Sequence, residues 1–173
     1  MDVRRRAALV ARSLRTAITI RPFERGDLKR IVAIERESFG PKTPSNDAWP
    51  AAAFLEYQRA SPELFLVALL GRRIAGYSIA RMTWRGAEIE SIAVDPRYRT
   101  RGIAQALLDA TIARTRASTL RLMVSVSNDA ALRFYRAYGF VRTRRVKNYY
   151  GRGRDAWRMR LVNPPRSRPK QQA

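Results

Sequence analysis

Residues 88–104 combine, within one short stretch, the residue types that can hold a phosphorylated ligand. Residues 89–94 are apolar and rich in β-branched side chains, which predicts a buried strand, and Asp95-Pro96 ends it. Gly102 then precedes an apolar helical stripe, and backbone N–H groups at a helix start bind anions most closely where no Cβ intervenes. The sequence therefore predicts a pyrophosphate site formed by Arg99, Thr100, Arg101, Gly102, Ile103 and Ala104.

The chain contains no histidine and no cysteine, which excludes imidazole catalysis, cysteine nucleophiles, disulfides and the commonest metal ligand. We therefore expect no metal site, and proton transfer has to use a carboxylate, a tyrosine, a lysine, a chain terminus or water. Glu88 and Glu90 are candidates, because residues two apart on an unbulged strand point to the same face of a sheet. The alternative is that one or both carboxylates simply pair with nearby arginines.

Two spaced motifs resemble the GNAT family of N-acetyltransferases, which bind acetyl-coenzyme A. Residues 99–104 (R-T-R-G-I-A) fit the family signature R/Q-x-x-G-x-G/A and follow S-I-A-V-D-P at 91–96. Residues 127–140 (S-N-D-A-A-L-R-F-Y-R-A-Y-G-F) resemble the second motif of the family. The resemblance covers roughly residues 18–161 and is greatest for the branch that acetylates protein N-termini. That branch includes the ribosomal-protein alanine acetyltransferases, which also carry an N-Y-Y like residues 148–150.

The resemblance implies that acetyl-CoA is the acetyl donor and assigns residues to it. Tyr135 is similar to the family tyrosine that lies near the sulfur and would protonate the departing thiolate. The alternative for Tyr135 is a core tyrosine on an amphipathic helix. Asn128 resembles the residue that contacts the pantetheine arm, and its alternative is an ordinary first-turn residue. The strand backbone that would pair with the pantetheine amides belongs to Ile92, Ala93 and Val94.

Met123 stands where the alanine-type acetyltransferases carry a glutamate. A thioether cannot take a proton at neutral pH, so we expect Met123 to line the substrate pocket instead. Many enzymes of the wider family use a glutamate on the preceding strand, which makes Glu88 or Glu90 the candidate base. Tyr149 and Tyr150 resemble the substrate-gripping loop of the family and are expected, with Glu90 and Met123, to bind the acceptor. The alternative for both tyrosines is packing at a strand edge.

The acceptor is expected to be a protein or peptide amine, possibly ribosomal. A lysine amine with a pKa of about 10.4 must lose about 4.6 kcal/mol of protonation preference at pH 7, whereas an α-amine needs only about 1–1.4 kcal/mol. We therefore expect an N-terminal α-amine, acetylated by direct transfer in a ternary complex, because no cysteine can form an acyl-enzyme. The alternatives are a small-molecule or antibiotic acetyltransferase and a catalytically impaired module that binds ribosome or RNA.

One domain is predicted over residues 18–162, between a basic N-terminal arm at 1–17 and a disordered basic tail at 163–173. The net charge is +21, and the arm carries +4 and the tail +3, which leaves +14 on the domain. This charge favours anionic partners, namely the coenzyme and, weakly, nucleic acid or the ribosome, although a solvated basic surface is the alternative. The longest apolar run, at 64–70, is too short to span a membrane, so we expect a cytoplasmic protein with no membrane partner.

Hydrophobic periodicity predicts an α/β (α+β) fold with the element order β-α-α-β-β-β-α-β-α-β-β. This order is similar to the GNAT acyl-CoA N-acyltransferase fold. In that fold a mixed central sheet is flanked by helices, and the strands ending at Val94 and Val126 run parallel and splay around the cofactor. Asp27 and Ser127 are predicted to cap helices, and Gly139 to end one in a left-handed conformation.

Overall fold

The structure is a computed structural model that describes residues 17–41 and 47–164. The helices and strands follow the predicted order. They are β1 (Ile18–Pro22), α1 (Leu28–Phe39), α2 (Ala51–Ala60), β2 (Phe65–Leu70), β3 (Arg73–Thr83), β4 (Gly86–Val94), α3 (Ile103–Thr115), β5 (Thr119–Ser125), α4 (Asp129–Tyr138), β6 (Val141–Val146) and β7 (Ala156–Val162). The predicted basic arm and tail lie almost wholly outside the described residues, so the domain boundaries stay a prediction.

The strands form a seven-stranded sheet in the order β1-β2-β3-β4-β5-β7-β6. Every neighbouring pair is antiparallel except β4 and β5, which are parallel. The β4–β5 pairing covers only Ala87–Ile89 against Leu120–Leu122. Beyond these residues the two strands no longer pair, so an opening forms between their carboxyl ends. The predicted fold class and its splayed parallel pair are confirmed.

Helices cover both faces of the sheet because each carries one apolar stripe. The predicted stripe of α3 is buried except at Ala104, which is half-buried; its buried members are Ile103, Leu107, Leu108, Thr111 and Ile112. On the opposite face, α1 and α2 bury Ile31, Ile34 and Phe54 against Phe65 and Tyr77. None of the described helices is long and apolar enough to cross a membrane.

The predicted cap at Ser127 is wrong, and Asp27 holds the cap position of α1 without a side-chain bond to that helix. The α4 cap is Asn128, whose side-chain oxygen accepts from the Ala131 N–H at 3.1 Å, whereas the Ser127 hydroxyl bonds the Ser125 hydroxyl. Asp27 precedes α1 but caps none of its N–H groups. Its carboxylate instead binds Arg21 through two hydrogen bonds of 2.7 and 2.8 Å. The carboxylate also accepts the Glu24 N–H at 2.9 Å, so Asp27 belongs to the capping box of the short helical turn before α1.

The predicted left-handed end of α4 is confirmed. Gly139 has φ +113, a conformation that lacks steric cost only for glycine. The N–H of Phe140 then donates to the Tyr135 carbonyl at 2.9 Å, which satisfies one of the last carbonyls of the helix. This turn sends the chain directly into β6.

Asp95 is a fully buried carboxylate that joins the end of β4 to the following turn. It accepts the Arg97 N–H at 3.0 Å and the Arg97 Nη2 at 2.9 Å, and it also pairs with Arg30 of α1. Burial alone would raise the pKa of Asp95, but the hydrogen bonds from Arg97 and the charge of Arg30 hold it below its ordinary value. The end of β4 is thus fixed by an ionised side chain.

Replacing Asp95 with asparagine should lower the free energy of unfolding by about 2 kcal/mol, because two arginines lose their buried anion. A depressed folded-state pKa gives stability that is complete above the unfolded-state pKa of about 3.9 and is lost as the pH falls through the folded-state value. Urea denaturation should therefore show a difference in unfolding free energy between wild type and variant that is constant from about pH 7 to pH 5 and narrows as the pH falls below about 4. Asp129→Asn, at the exposed start of α4, should cost less than about 1 kcal/mol. A wild-type–variant difference in unfolding free energy of the same size at about pH 7 and at about pH 3 would contradict this account.

Candidate active site

The start of α3 provides an open anion-binding position. Gly102 precedes the helix with φ +76, and none of the described side chains caps its first N–H groups. Those groups have no acceptor within the helix itself. A Cβ at Gly102 would meet no atom within 4 Å, so the space in front of the helix is free. Arg99 and Arg101 are exposed beside it. These residues fit a diphosphate, and all six predicted positions lie together.

The backbone of β4 beyond Ile89 faces the opening between β4 and β5. Ile92, Ala93 and Val94 pair with β3 on one side, and on the other side they have no partner strand among the described residues. An unpaired strand edge presents alternating N–H and C=O groups to any extended ligand. The predicted pantetheine-binding backbone is therefore available along this edge.

Tyr135 lies on α4 and packs into the core beneath β5. Its side chain is only 9% exposed, with its ring edge-on to Phe134 at 5.1 Å and to Phe140 at 5.4 Å. Burial raises the pKa of Tyr135 above the ordinary tyrosine value of about 10, and at either value the phenol is protonated at neutral pH. Packing and proton donation are compatible here, and the acid role stays a prediction. Asn128 uses its oxygen as the helix cap, which leaves its amide nitrogen as a donor.

Glu88 and Glu90 both form ion pairs with Arg81 of β3. Arg81 Nη2 donates to Glu88 at 2.6 Å, and Arg81 Nε donates to Glu90. The alternative of arginine pairing is thus realised for both carboxylates. The expectation of an unbulged strand is wrong, because the β3–β4 register shifts opposite Glu90 and leaves it unpaired. The two side chains still reach one arginine and therefore still share one side of the sheet.

Glu88 and Glu90 differ in their position relative to the opening between β4 and β5. Glu88 lies within the paired part of β4 and β5, whereas Glu90 follows the last pair and stands where the strands separate. Glu90 also interacts with Tyr57 of α2. Burial, together with the charge of Glu90 and a hydrogen bond to it, raises the pKa of Tyr57 to about 12. Glu90 is therefore the carboxylate that borders the opening.

Tyr149 and Tyr150 form an aromatic corner on the β6–β7 connection. Their rings meet edge-on at 4.7 Å, and the Tyr150 hydroxyl donates to the Met123 carbonyl at 3.3 Å. Burial raises the pKa of Tyr149, and the charges of Glu90 and Glu88 add to this effect. The structure thus brings together Tyr149, Tyr150, Met123 and Glu90, the four residues predicted to contact the acceptor. Acceptor binding by these residues stays a prediction.

A buried carboxylate helps to position the aromatic residues that reach Glu90. Glu35 of α1 accepts from the Tyr77 hydroxyl and from the Trp49 N–H at 3.0 Å. Its burial raises the pKa of Glu35. Trp49 in turn stacks on Tyr57 with ring centroids 5.1 Å apart. The position of the Tyr57 hydroxyl beside Glu90 is therefore set by a chain of contacts that begins in the core.

The acetyltransferase (GNAT) family model matches residues 28–140, which is more than half of the chain. The chain belongs to the GNAT family. It is 36% identical over 149 residues to the N-alpha-acetyltransferase RimI of Mycobacterium tuberculosis, covering 83% of this chain and 91% of that protein. It is similar to the crystal structure of Ard1 from Thermoplasma volcanium, with a TM-score of 0.77, 33% identity, and coverage of 84% and 97%. It is also similar to the ribosomal-protein-S18-alanine N-acetyltransferase of Escherichia coli, with a TM-score of 0.72, 26% identity, and coverage of 91% and 99%.

These relationships identify this chain as an N-acetyltransferase, and the predicted family and enzyme class are confirmed. Among the described residues, no three acidic side chains cluster in a way that could hold a metal ion.

Several residues around the opening between β4 and β5 were not predicted from the sequence. Arg154 of the β6–β7 connection donates to both oxygens of Asp47 at 2.8 and 2.9 Å, although 107 residues separate them. This ion pair joins the tyrosine corner to the segment that carries Trp49. Arg81, Tyr57 and Trp49 were likewise missed. Side chains alternate along β3, and the neighbouring strand carries two glutamates, so Arg81 was predictable. No local sequence signal indicates Tyr57 or Trp49.

Replacing Gly102, immediately before α3, with aspartate should weaken acetyl-CoA binding by about tenfold or more, on the order of 1.4 kcal/mol. The new carboxylate would face the diphosphate, and φ +76 would add strain. Isothermal titration calorimetry measures the change. Gly153→Asp is a matched control, because Gly153 has the same φ and equally open space on another loop. Its affinity for acetyl-CoA should stay at the wild-type value. Equal losses in the two variants would remove the turn from the binding site.

Proposed function

We propose that this enzyme transfers an acetyl group from acetyl-CoA to the N-terminal α-amine of a protein or peptide. The observation that carries the proposal is the opening between β4 and β5. Glu90 follows the last β4–β5 pair, Tyr150 bonds the Met123 carbonyl of β5, and Tyr135 interacts electrostatically with Tyr150. The relationship to proteins named as N-alpha-acetyltransferases supports an α-amine acceptor.

Residues 99–104 and the free edge of β4 would hold the coenzyme. The start of α3 supplies N–H groups and a positive end of a helix dipole, and Arg99 and Arg101 add full charges. Ile92, Ala93 and Val94 would pair with an extended amide-containing arm. When bound, acetyl-CoA supplies the acetyl group as an activated thioester.

Proton handling would be divided between two groups on opposite sides of the opening. Glu90 would accept the proton of the acceptor amine, directly or through water. Tyr135, whose hydroxyl is protonated at neutral pH, would give a proton to the leaving sulfur. The chain has no cysteine to carry an acyl group, so direct transfer within a ternary complex is the route that these residues support.

The acceptor amine has to be neutral when it attacks, which favours an α-amine. With an α-amine pKa near 7.7–8, deprotonation at pH 7 costs only about 1–1.4 kcal/mol, against about 4.6 kcal/mol for lysine. A ribosomal protein N-terminus is one such acceptor, as in the similar alanine acetyltransferase of Escherichia coli. The cytoplasmic location and the weak ribosome association stay predictions.

Mass spectrometry of paired peptides tests the proposal. One peptide has a free N-terminus and no lysine, and its partner has a blocked N-terminus and one lysine in the same sequence. We expect thiol release and acetylation with the first peptide and at least roughly tenfold less with the second. Preferential lysine acetylation would overturn the α-amine assignment. Turnover with small amines but with neither peptide would point to the small-molecule alternative.

A further inference from the structure

The half of the sheet formed by β5, β7 and β6 packs helices on one face only. Leu120, Leu122 and Val124 of β5 are buried in the cluster that contains α3 and α4 residues. The alternate residues of β5 are half-buried and point to the other face, since successive side chains of a strand alternate. Arg121 and Met123 therefore lie on the face opposite the helices.

Strand register places four arginines side by side on this face. Arg121 is directly opposite Arg160, Met123 is opposite Arg158, and Arg158 is opposite Arg144. Directly opposite residues of antiparallel strands have Cβ atoms about 4.5–5.5 Å apart, and like charges in such pairs are destabilising. We call Arg121, Arg144, Arg158 and Arg160 the arginine face.

The arginine face is not neutralised within the described residues. None of its four members forms an ion pair there. Glu88 is the cross-strand partner of Arg121 on β4, but its carboxylate and that of Glu90 bind Arg81, and Asp155 is bound by Arg145. Arg121 donates to a backbone carbonyl, that of Arg85, at 2.6 Å. The Nε of Arg158 is buried without a hydrogen-bond partner in this part of the chain. Such a surface is matched by an anionic partner.

The face is continuous with the proposed acceptor site. Met123 lies between Arg158 of β7 and the opening, and its carbonyl accepts from Tyr150. Arg158 also interacts electrostatically with Tyr149. A polypeptide whose N-terminus enters the opening beside Glu90 would therefore leave it across these arginines.

We propose that the arginine face binds acidic side chains of the acceptor polypeptide, a few residues after its N-terminus. This inference rests on the proposed function. The charges are ordered along the path, with carboxylates where the amine would arrive and guanidinium groups beyond them. Arginine binds carboxylates in a planar, two-bond geometry, which suits this row. Neighbouring strands lie about 4.8 Å apart and an extended chain advances about 3.3 Å per residue. A peptide that crosses from β4 over β5 and β7 to β6 would therefore meet the face with about its third to sixth residues.

Carboxylates fit the face better than nucleic acid does. Proteins that bind single-stranded nucleic acid combine positive charge with aromatic side chains on which bases stack. Among the described residues, no aromatic side chain lies between the four arginines, and the nearby Tyr149 and Tyr150 are packed edge-on against each other, with the Tyr150 hydroxyl bonded to the Met123 carbonyl. The exposed Trp84 lies on the β3–β4 turn, outside the row, and Arg85 already covers its ring at 3.9 Å.

Fluorescence anisotropy of two acetylated hexapeptides tests this inference without catalysis. The probes are Ser-Ala-Glu-Glu-Glu-Glu and Ser-Ala-Gln-Gln-Gln-Gln, each blocked at the N-terminus and labelled at the C-terminus. At about 50 mM salt we expect the full-length protein to bind the glutamate peptide at least about tenfold more tightly. Arg121→Gln/Arg160→Gln should lose most of this preference. Arg72→Gln/Arg133→Gln removes the same charge from two exposed arginines elsewhere and should keep it.

Unblocked versions of the same peptides provide the kinetic readout. The glutamate peptide should have the lower KM with a similar kcat, and Arg121→Gln/Arg160→Gln should remove that difference. Equal binding of the two blocked peptides, or equal losses in both double variants, would overturn the inference. So would a single-stranded RNA that displaces the glutamate peptide and binds more tightly through Arg121 and Arg160. A retained glutamate preference with no acetylation of any free N-terminus would support the arginine face and overturn the proposed function.

Discussion

Replacing Tyr135 with phenylalanine should lower kcat by roughly 10²-fold, the usual size of a general-acid contribution. The substitution keeps the ring between Phe134 and Phe140 and removes the hydroxyl, so the core should change little. Because the phenol is protonated at neutral pH, the loss should persist across the neutral range. Stopped assays of thiol release measure kcat, and calorimetry should find acetyl-CoA affinity nearly unchanged.

Tyr138→Phe is the matched control for this variant. Tyr138 lies one turn further along α4 and is also buried, but its hydroxyl bonds Asp109. Its loss should lower stability by about 1 kcal/mol and leave kcat near the wild-type value. Full activity of Tyr135→Phe would show that the family mechanism does not apply to this residue.

Replacing Glu90 with glutamine should lower kcat/KM by about 10²-fold, whereas Glu88→Gln should stay within about threefold of the wild type. Both variants lose one ion pair with the same arginine, so they are matched in their structural effect. They differ in that Glu90 borders the opening and Glu88 lies in the paired part of the strands.

Two outcomes would change the assignment of the base. A larger loss in Glu88→Gln would move the role to that residue. Wild-type rates in both glutamine variants, with Tyr135→Phe inactive, would mean that no glutamate base is needed. The enzyme would then select amines that are already neutral, which agrees with an N-terminal acceptor.

The features that depend on neighbouring residues were predictable from the sequence. The anion-binding turn at 99–104 is contiguous, so a glycine before a helix and two adjacent arginines suffice to recognise it. The order of the elements follows from apolar periodicity. Even here one local prediction was wrong, because the side chain of Asn128 rather than that of Ser127 caps α4.

The family, the fold class and the residue types available for proton transfer were predictable from the amino-acid sequence. The grouping of those residues in space depends on the tertiary structure. The bulge that leaves Glu90 unpaired, the position of Arg81 between two glutamates, and the contact of Asp47 with Arg154 all depend on strand register and on segments far apart in the chain. The arginine face arises in the same way, because β7 inserts between β5 and β6 and sets their arginines opposite one another. Register and topology are selected by the packing of the whole core, so no short window of sequence contains them.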